Sequence, residues 1–223
     1  MPKQVLVVAA HPDDEILGMG GTIARHVKQG DEVTVVWVTD GSSTQYPGRP
    51  DIVERKYLEA EAALETLGVR NWIKGGLPDM RLDTIAHVEI NQVVADAVDQ
   101  TEPDTVYSVH PDVNRDHRAV FESVAVVARP RPGSRIRRFL TYAPMSSNEW
   151  TPAPESTFTP TWFVDISAEI DAKLRAFACY DTENRDWPHP RSARAIQASA
   201  ELWGSVIGTS AAEPFLLIRE IER

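Results

Sequence analysis

The sequence contains a single cysteine, Cys179, among its 223 residues. One thiol can close no internal disulfide and build no thiolate metal centre, so disulfide-stapled scaffolds and structural zinc fingers are excluded. Positive charge is also scarce: Lys and Arg total 23 against 33 Asp and Glu, a formal net charge of −10. Such a chain suits neither phosphate backbones nor anionic lipid surfaces, so nucleic-acid binding and membrane docking are not expected. No apolar run approaches the roughly 18 residues of a membrane helix, and no signal-peptide core follows Met1. A cytoplasmic protein without membrane insertion is therefore expected. The hydrophobic share of 42% and the charged share of 25% are those of an ordinary packed protein, not a disordered one.

Two short apolar, β-branched runs open the chain, residues 5–10 and 33–38. Strands buried on both faces of a parallel sheet read this way. Between them, 15–29 carries Ile16, Leu17, Ile23 and Val27 at helical spacing and stops at Gly30, which completes a βαβ unit. The alternation continues, with helices predicted over 52–67, 85–98, 117–128, 168–180 and 192–207. Further strands are predicted over 71–74, 105–109, 138–142, 162–166 and 215–221. This order predicts an α/β layered fold in a single domain spanning 1–223. The stretch 143–160 breaks the rhythm, because Pro144, Pro152, Pro154 and Pro160 forbid a central helix or strand. A connection that long is either functional or disordered.

The first strand runs directly into His11-Pro12-Asp13-Asp14-Glu15. Ligands of open α/β sheets bind beyond the carboxyl ends of the strands, so this cluster falls where a site is expected. Two carboxylates near a helix start also suit its dipole, but helix capping alone leaves His11 unexplained. Imidazole with carboxylate is the ligand chemistry of a catalytic zinc site that keeps one position open. The strand over 105–109 leads into a second cluster, His110-Pro111-Asp112-Val113-Asn114-Arg115-Asp116-His117. A metal-binding histidine needs an acceptor for its other ring nitrogen, and the aspartates here supply one.

These residues carry a resemblance. Ala10-His11-Pro12-Asp13-Asp14-Glu15 and Asp112-x-Asn114-x-Asp116-His117 resemble the two motifs of the PIG-L/LmbE-like metal-dependent de-N-acetylases. The likeness extends through Ser146-Ser147-Asn148-Glu149-Trp150, Pro188-His189-Pro190-Arg191-Ser192 and Ala212-Glu213-x-Phe215. It implies a Rossmann-like three-layer fold with a mostly parallel central sheet, and a hydrolase that removes an acetyl group from an N-acetylated amino sugar or sugar conjugate. It implies that His11, Asp14 and His117 hold the metal, with Asp13 as general base and Asp116, beside His117 in the chain, as a carboxylate behind the ligands. Zn2+ is the expected ion, and Fe2+ is accepted by the same donors. Best-known members often carry histidine where this chain has Asn114, an amide that can donate to an oxyanion but delivers no proton. The acid step then falls to protonated Asp13 or to His189.

Softer expectations concern the substrate, a small N-acetylated sugar. Asp79 matches a stretch that borders the sugar in this family, Arg55 lies at the start of its helix where the family carries a similar arginine, and Arg191 shares the segment of His189. Arg55 also reads as an i,i+4 ion pair with Glu59. Trp150 and Trp162 flank the Pro-rich stretch and could stack on a sugar or sit in the core. His26 and His87 read as surface or core residues within helices, and Cys179 as a small buried hydrophobe. Two rival functions remain. A nucleotide-binding module is opposed by Gly18-x-Gly20-Gly21, which lacks the G-x-G-x-x-G order and lies inside a helix. The other rival is a metallohydrolase acting on a different amide or ester bond, phosphoesters included. Phosphoesterases usually assemble two metals, and ligands for one site are evident. A homo-oligomer is left open.

Overall fold

A computed structural model describes residues 2–152 and 158–222. The chain alternates strictly at first: β1 (Gln4–Ala9), α1 (Asp14–Lys28), β2 (Glu32–Thr39), α2 (Pro50–Thr66), β3 (Asn71–Leu77), α3 (His87–Thr101), β4 (Thr105–Val109), α4 (Arg115–Val127) and β5 (Arg138–Tyr142). It closes with β6 (Trp162–Asp165), α5 (Ile170–Phe177), α6 (Ala193–Ile207) and β7 (Ala212–Glu220). All seven strands join one sheet in the order β3-β2-β1-β4-β5-β7-β6. The first five are parallel, whereas β7 runs antiparallel to both β5 and β6.

β1 pairs with β2 on one side and β4 on the other, and Val5 to Ala9 are all buried. That explains why the run carries no polar alternation: neither face meets water. Helices α3 and α4 pack together on one face of the sheet, while α1, α2, α5 and α6 form the other layer, which makes the expected three-layer α/β fold. After β1 the chain winds outward through β2 and β3, then crosses back to β4 on the far side of β1. The carboxyl ends of β1 and β4 therefore flank the topological switch point, where doubly wound sheets open a crevice.

One feature of α1 departs from a plain helix. Met19 adopts φ −148° and ψ 23°, which breaks the helix after its first turn. A Cβ on Gly18 would stand 2.3 Å from the Tyr142 ring, and one on Gly21 would stand 2.7 Å from Ile166. Thus Gly18-x-Gly20-Gly21 serves close packing against β5 and the segment after β6. The restarted helix is capped from a distance: buried Glu213 accepts from the backbone N–H of Gly21 (3.0 Å) and Thr22 (2.6 Å), and from Lys173 Nζ (2.6 Å).

Smaller differences from expectation have local causes. Helix α5 ends at Phe177, before Cys179, whose half-buried thiol lies 3.6 Å from the Arg175 carbonyl and 3.7 Å from Thr66 Oγ1. It is not the buried hydrophobe expected. His26 is a core residue, its ring nitrogens bonded to Asp31 (2.7 Å) and the Tyr107 hydroxyl (3.1 Å). Within 143–160, residues 153–157 lie outside the described residues. No helix among the described residues is long and apolar enough to cross a membrane.

Candidate active site

A cavity of about 400 Å³ opens at the switch point, with His11, Asp13, Asp14 and His117 among the residues that line it. His11 follows β1 directly, and its backbone N–H donates to Asp14 Oδ2 (2.8 Å), which folds the motif into a tight turn. His117 enters on the first turn of α4. Asn114 caps that helix by accepting from the Asp116 N–H (2.9 Å).

The two imidazoles face Asp14 from different sides. His11 Nδ1 lies 3.3 Å from Asp14 Oδ2, and His117 Nε2 lies 3.3 Å from Asp14 Oδ1. Each ring is anchored on its opposite nitrogen by other carboxylates. His117 Nδ1 meets Asp112 Oδ2 at 2.8 Å, and Asp112 also accepts from Ser147 Oγ at 2.5 Å. His11 Nε2 meets Asp116 Oδ2 at 3.3 Å and Asp79 Oδ1 at 3.6 Å. Asp116 therefore stands behind His11, and Asp112 stands behind His117. An α-helix explains this division. Adjacent residues on α4 point about 100° apart, so Asp116 cannot share the face of His117.

His11, Asp14 and His117 can each offer one ligand atom within 4.8 Å of the others. A divalent cation fits this set on a direct observation: buried His117 Nε2 makes no hydrogen bond among the described residues, and the atom it faces is a carboxylate oxygen, Asp14 Oδ1 at 3.3 Å. An orphaned ring nitrogen costs free energy unless something occupies its lone pair, and its anchored Nδ1 turns that lone pair toward Asp14. His11, Asp79 and Asp116 form a second group of comparable spacing. It shares His11 and serves as the support for Nε2.

The electrostatics are those of a crowded carboxylate site. Burial works to lower His117, but Asp14 and Asp112 outweigh it and push the ring up to about 9. Burial raises Asp14, and the two histidines pull it well below the usual carboxylate range. Asp13 is raised by burial, with Lys56 and Arg191 pulling against the rise. Burial lifts Asp79 to about 6 and Glu15 to about 8.

Of the remaining expected residues, Arg55, Asp79, Asn114 and Arg191 line the cavity. Arg55 is half-exposed, and its guanidinium bonds Glu59 (2.9 Å) as the i,i+4 reading had it. Arg191 reaches Asp13 Oδ2 at 3.3 Å and bonds Ser146 Oγ at 2.6 Å. His189 is not brought to the cavity wall; its Nδ1 accepts from the Arg191 N–H (3.0 Å) and its ring stands edge-on to Trp150. Trp150 is exposed, and Trp162 lies on β6 beneath the Arg138 guanidinium. Neither tryptophan lines the cavity. From the 143–160 stretch, Met145, Ser146 and Ser147 do.

Lys56 and Glu183 join the expected cluster, which includes Glu15, without a place in either motif. Lys56 Nζ lies 3.1 Å from Asp13 Oδ2 and also bonds Glu183, while Glu15 accepts from the Asp13 N–H (3.3 Å). One signal for Lys56 exists in the sequence: it shares the buried face of α2 with Ala60, Ala63 and Leu64, a lysine inside an apolar stripe.

Comparison with known proteins agrees with this geometry. Residues 6–128, more than half of the chain, match the family model described as "PIG-L: GlcNAc-PI de-N-acetylase". The uncharacterized deacetylase YaiS of Escherichia coli K12 is 30% identical over 184 residues, covering 78% of this chain and 88% of that protein. The probable N-acetyl-alpha-D-glucosaminyl L-malate deacetylase 2 of Bacillus anthracis is 28% identical over 155 residues, 66% of this chain and 69% of that one. The crystal structure of the conserved protein TT1542 from Thermus thermophilus superposes with a TM-score of 0.78 at 26% identity, covering 99% of this chain and 97% of that one. The chain belongs to the PIG-L family of de-N-acetylases and is an amidohydrolase of the N-deacetylase type.

Proposed function

We propose that this protein is a zinc-dependent hydrolase that releases acetate from an N-acetylated amino sugar or sugar conjugate. The observation that carries the reading is the buried His117 Nε2, which makes no hydrogen bond among the described residues and faces Asp14 beside His11 Nδ1 on the wall of a cavity that Asp13 also lines. His11, Asp14 and His117 would hold the ion, and Fe2+ suits the same donors. When bound, the ion supplies Lewis acidity, which acidifies water and polarises an amide carbonyl. Asp13 takes the proton from the attacking water. Asn114 spends its amide oxygen on the helix cap, so its Nδ2, only 3.6 Å from Met80 Sδ, is the donor left for a developing oxyanion. With His189 away from the cavity wall, protonated Asp13 returns the proton to the departing amine. A small diffusible substrate in a cytoplasmic setting suits the acidic chain and its lone thiol. The relatives named for N-acetylated sugar conjugates support the substrate class.

An acetate-release screen over N-acetylamino sugars and their conjugates, with zinc-loaded protein, tests the reading. Acetate is expected from at least one of them, and Asp13→Asn should keep its zinc while turnover falls about 10²–10⁴-fold. No acetate from any member of the panel, or full turnover in Asp13→Asn, overturns it.

A further inference from the structure

Beside the metal-binding side chains lies a second set of charges that the ion does not need. Lys56 on α2 is only 4% exposed, and its Nζ lies 3.1 Å from Asp13 Oδ2 and bonds Glu183 as well. Arg191 bonds Glu183 and reaches Asp13 Oδ2 at 3.3 Å. Two cations and two carboxylates thus alternate in a balanced quartet. An ammonium buried this deeply is costly unless paired and hydrogen-bonded, and a mobile lysine stem loses much rotamer freedom on being fixed. Neither of the two cations approaches a metal-binding side chain within ion-pair distance.

The quartet has a direction. Both cations take the same oxygen of Asp13, and Oδ1 carries no hydrogen bond or ion pair among the described residues. Asp13 also sits at φ 155° and ψ −25°, a conformation that L side chains rarely adopt. Strained backbone of this kind persists only where its surroundings over-determine it. The N–H side of Asp13 is held locally by the His11 carbonyl (3.0 Å) and Glu15. The carboxylate side is held from afar, by a lysine 43 positions along the chain.

We propose that Lys56 is the positioning residue of the base: it grips Oδ2 of Asp13 so that Oδ1 stays turned to the cavity where the attacking water must lie. The inference deepens the de-N-acetylase reading and rests on it for its kinetics, but not for its geometry. Lys56 does not touch the substrate; it acts through Asp13.

Lys56→Met, Lys56→Arg and the parent should be compared for kcat, KM, zinc content and crystal structure. In Lys56→Met, kcat should fall about 10²-fold, the usual consequence of a reacting group displaced by about 1 Å, with KM within threefold and zinc retained. Its crystal structure should show the Asp13 carboxylate turned from its place, and Lys56→Arg should recover at least a tenth of the parent kcat. Should the methionine variant not fold, Lys56→Gln carries the same expectations. A kcat within threefold of the parent, a change confined to KM, loss of zinc, no recovery in Lys56→Arg, or an unmoved Asp13 each overturns the proposal. If the parent releases no acetate, the functional reading fails while the crystallographic comparison still decides the role of Lys56.

Discussion

The two sides of Asp13 are built in opposite ways. On one side, His11 and Asp14 follow β1 within five residues, and His117 and its anchor Asp112 lie on the loop and first turn after β4. On the other, Lys56, Glu183 and Arg191 come from a helix and a C-terminal loop separated by more than a hundred residues. The side proposed to hold the metal is local in the fold, not in the sequence: pairing β1 with β4 brings two strand ends together, and His11 and His117 each lie within a short stretch of one of them. The cationic side needs α2 and the segment after α5 to arrive together. Chemistry that tolerates no misplacement thus sits on the rigid switch point, while its aiming device depends on the global fold.

That contrast can be broken from either side. The largest effect should come from His117→Ala, which should lose zinc on dialysis that leaves the parent loaded and drop acetate release to background. Metal retained at the parent level would mean that the local side is not the binding side. Asp112→Asn removes the charged acceptor behind His117 Nδ1 and should weaken zinc binding about 10–100-fold in a chelator competition. An affinity within threefold would show that the ring is held without it. The smallest effect belongs to the exposed rim of the cationic side. Arg55→Ala loses an i,i+4 pair with Glu59 and should lower unfolding stability by only about 0.3–0.5 kcal/mol in urea titration, with zinc content unchanged. A loss of metal there would join the two sides into one unit.

The same contrast governs what could be read in the sequence. Residues 5–10 announce a buried strand because water reaches neither face, and the motif after it announces a site because histidine at a strand end has little packing use. The alternation of helices and strands announces a layered α/β sheet, whereas the crossing from β3 back to β4 beside β1 is set by tertiary packing that no local pattern specifies. By comparison, the Asp116–His11 and Asp112–His117 pairings depend on which way successive side chains leave a helix, and spacing alone could not assign them. Glu183 looks like one acid among several, and only the arrival of Lys56 and Arg191 gives it work. Glu213 stands in a motif, but its task depends on the break at Met19, which no propensity foretells. Lys56 left a trace, a charged side chain in an apolar stripe, which is a sign worth seeking in other helices of this kind.

The left-handed backbone at Asp13 carries a practical consequence for engineering. Glycine would relax the chain at that point but would leave buried Lys56 and Arg191 to share Glu183 alone, so the strain cannot be removed there without unbalancing buried charge. Any campaign to harden this enzyme does better to leave position 13 as it is and to seek stability elsewhere in the chain.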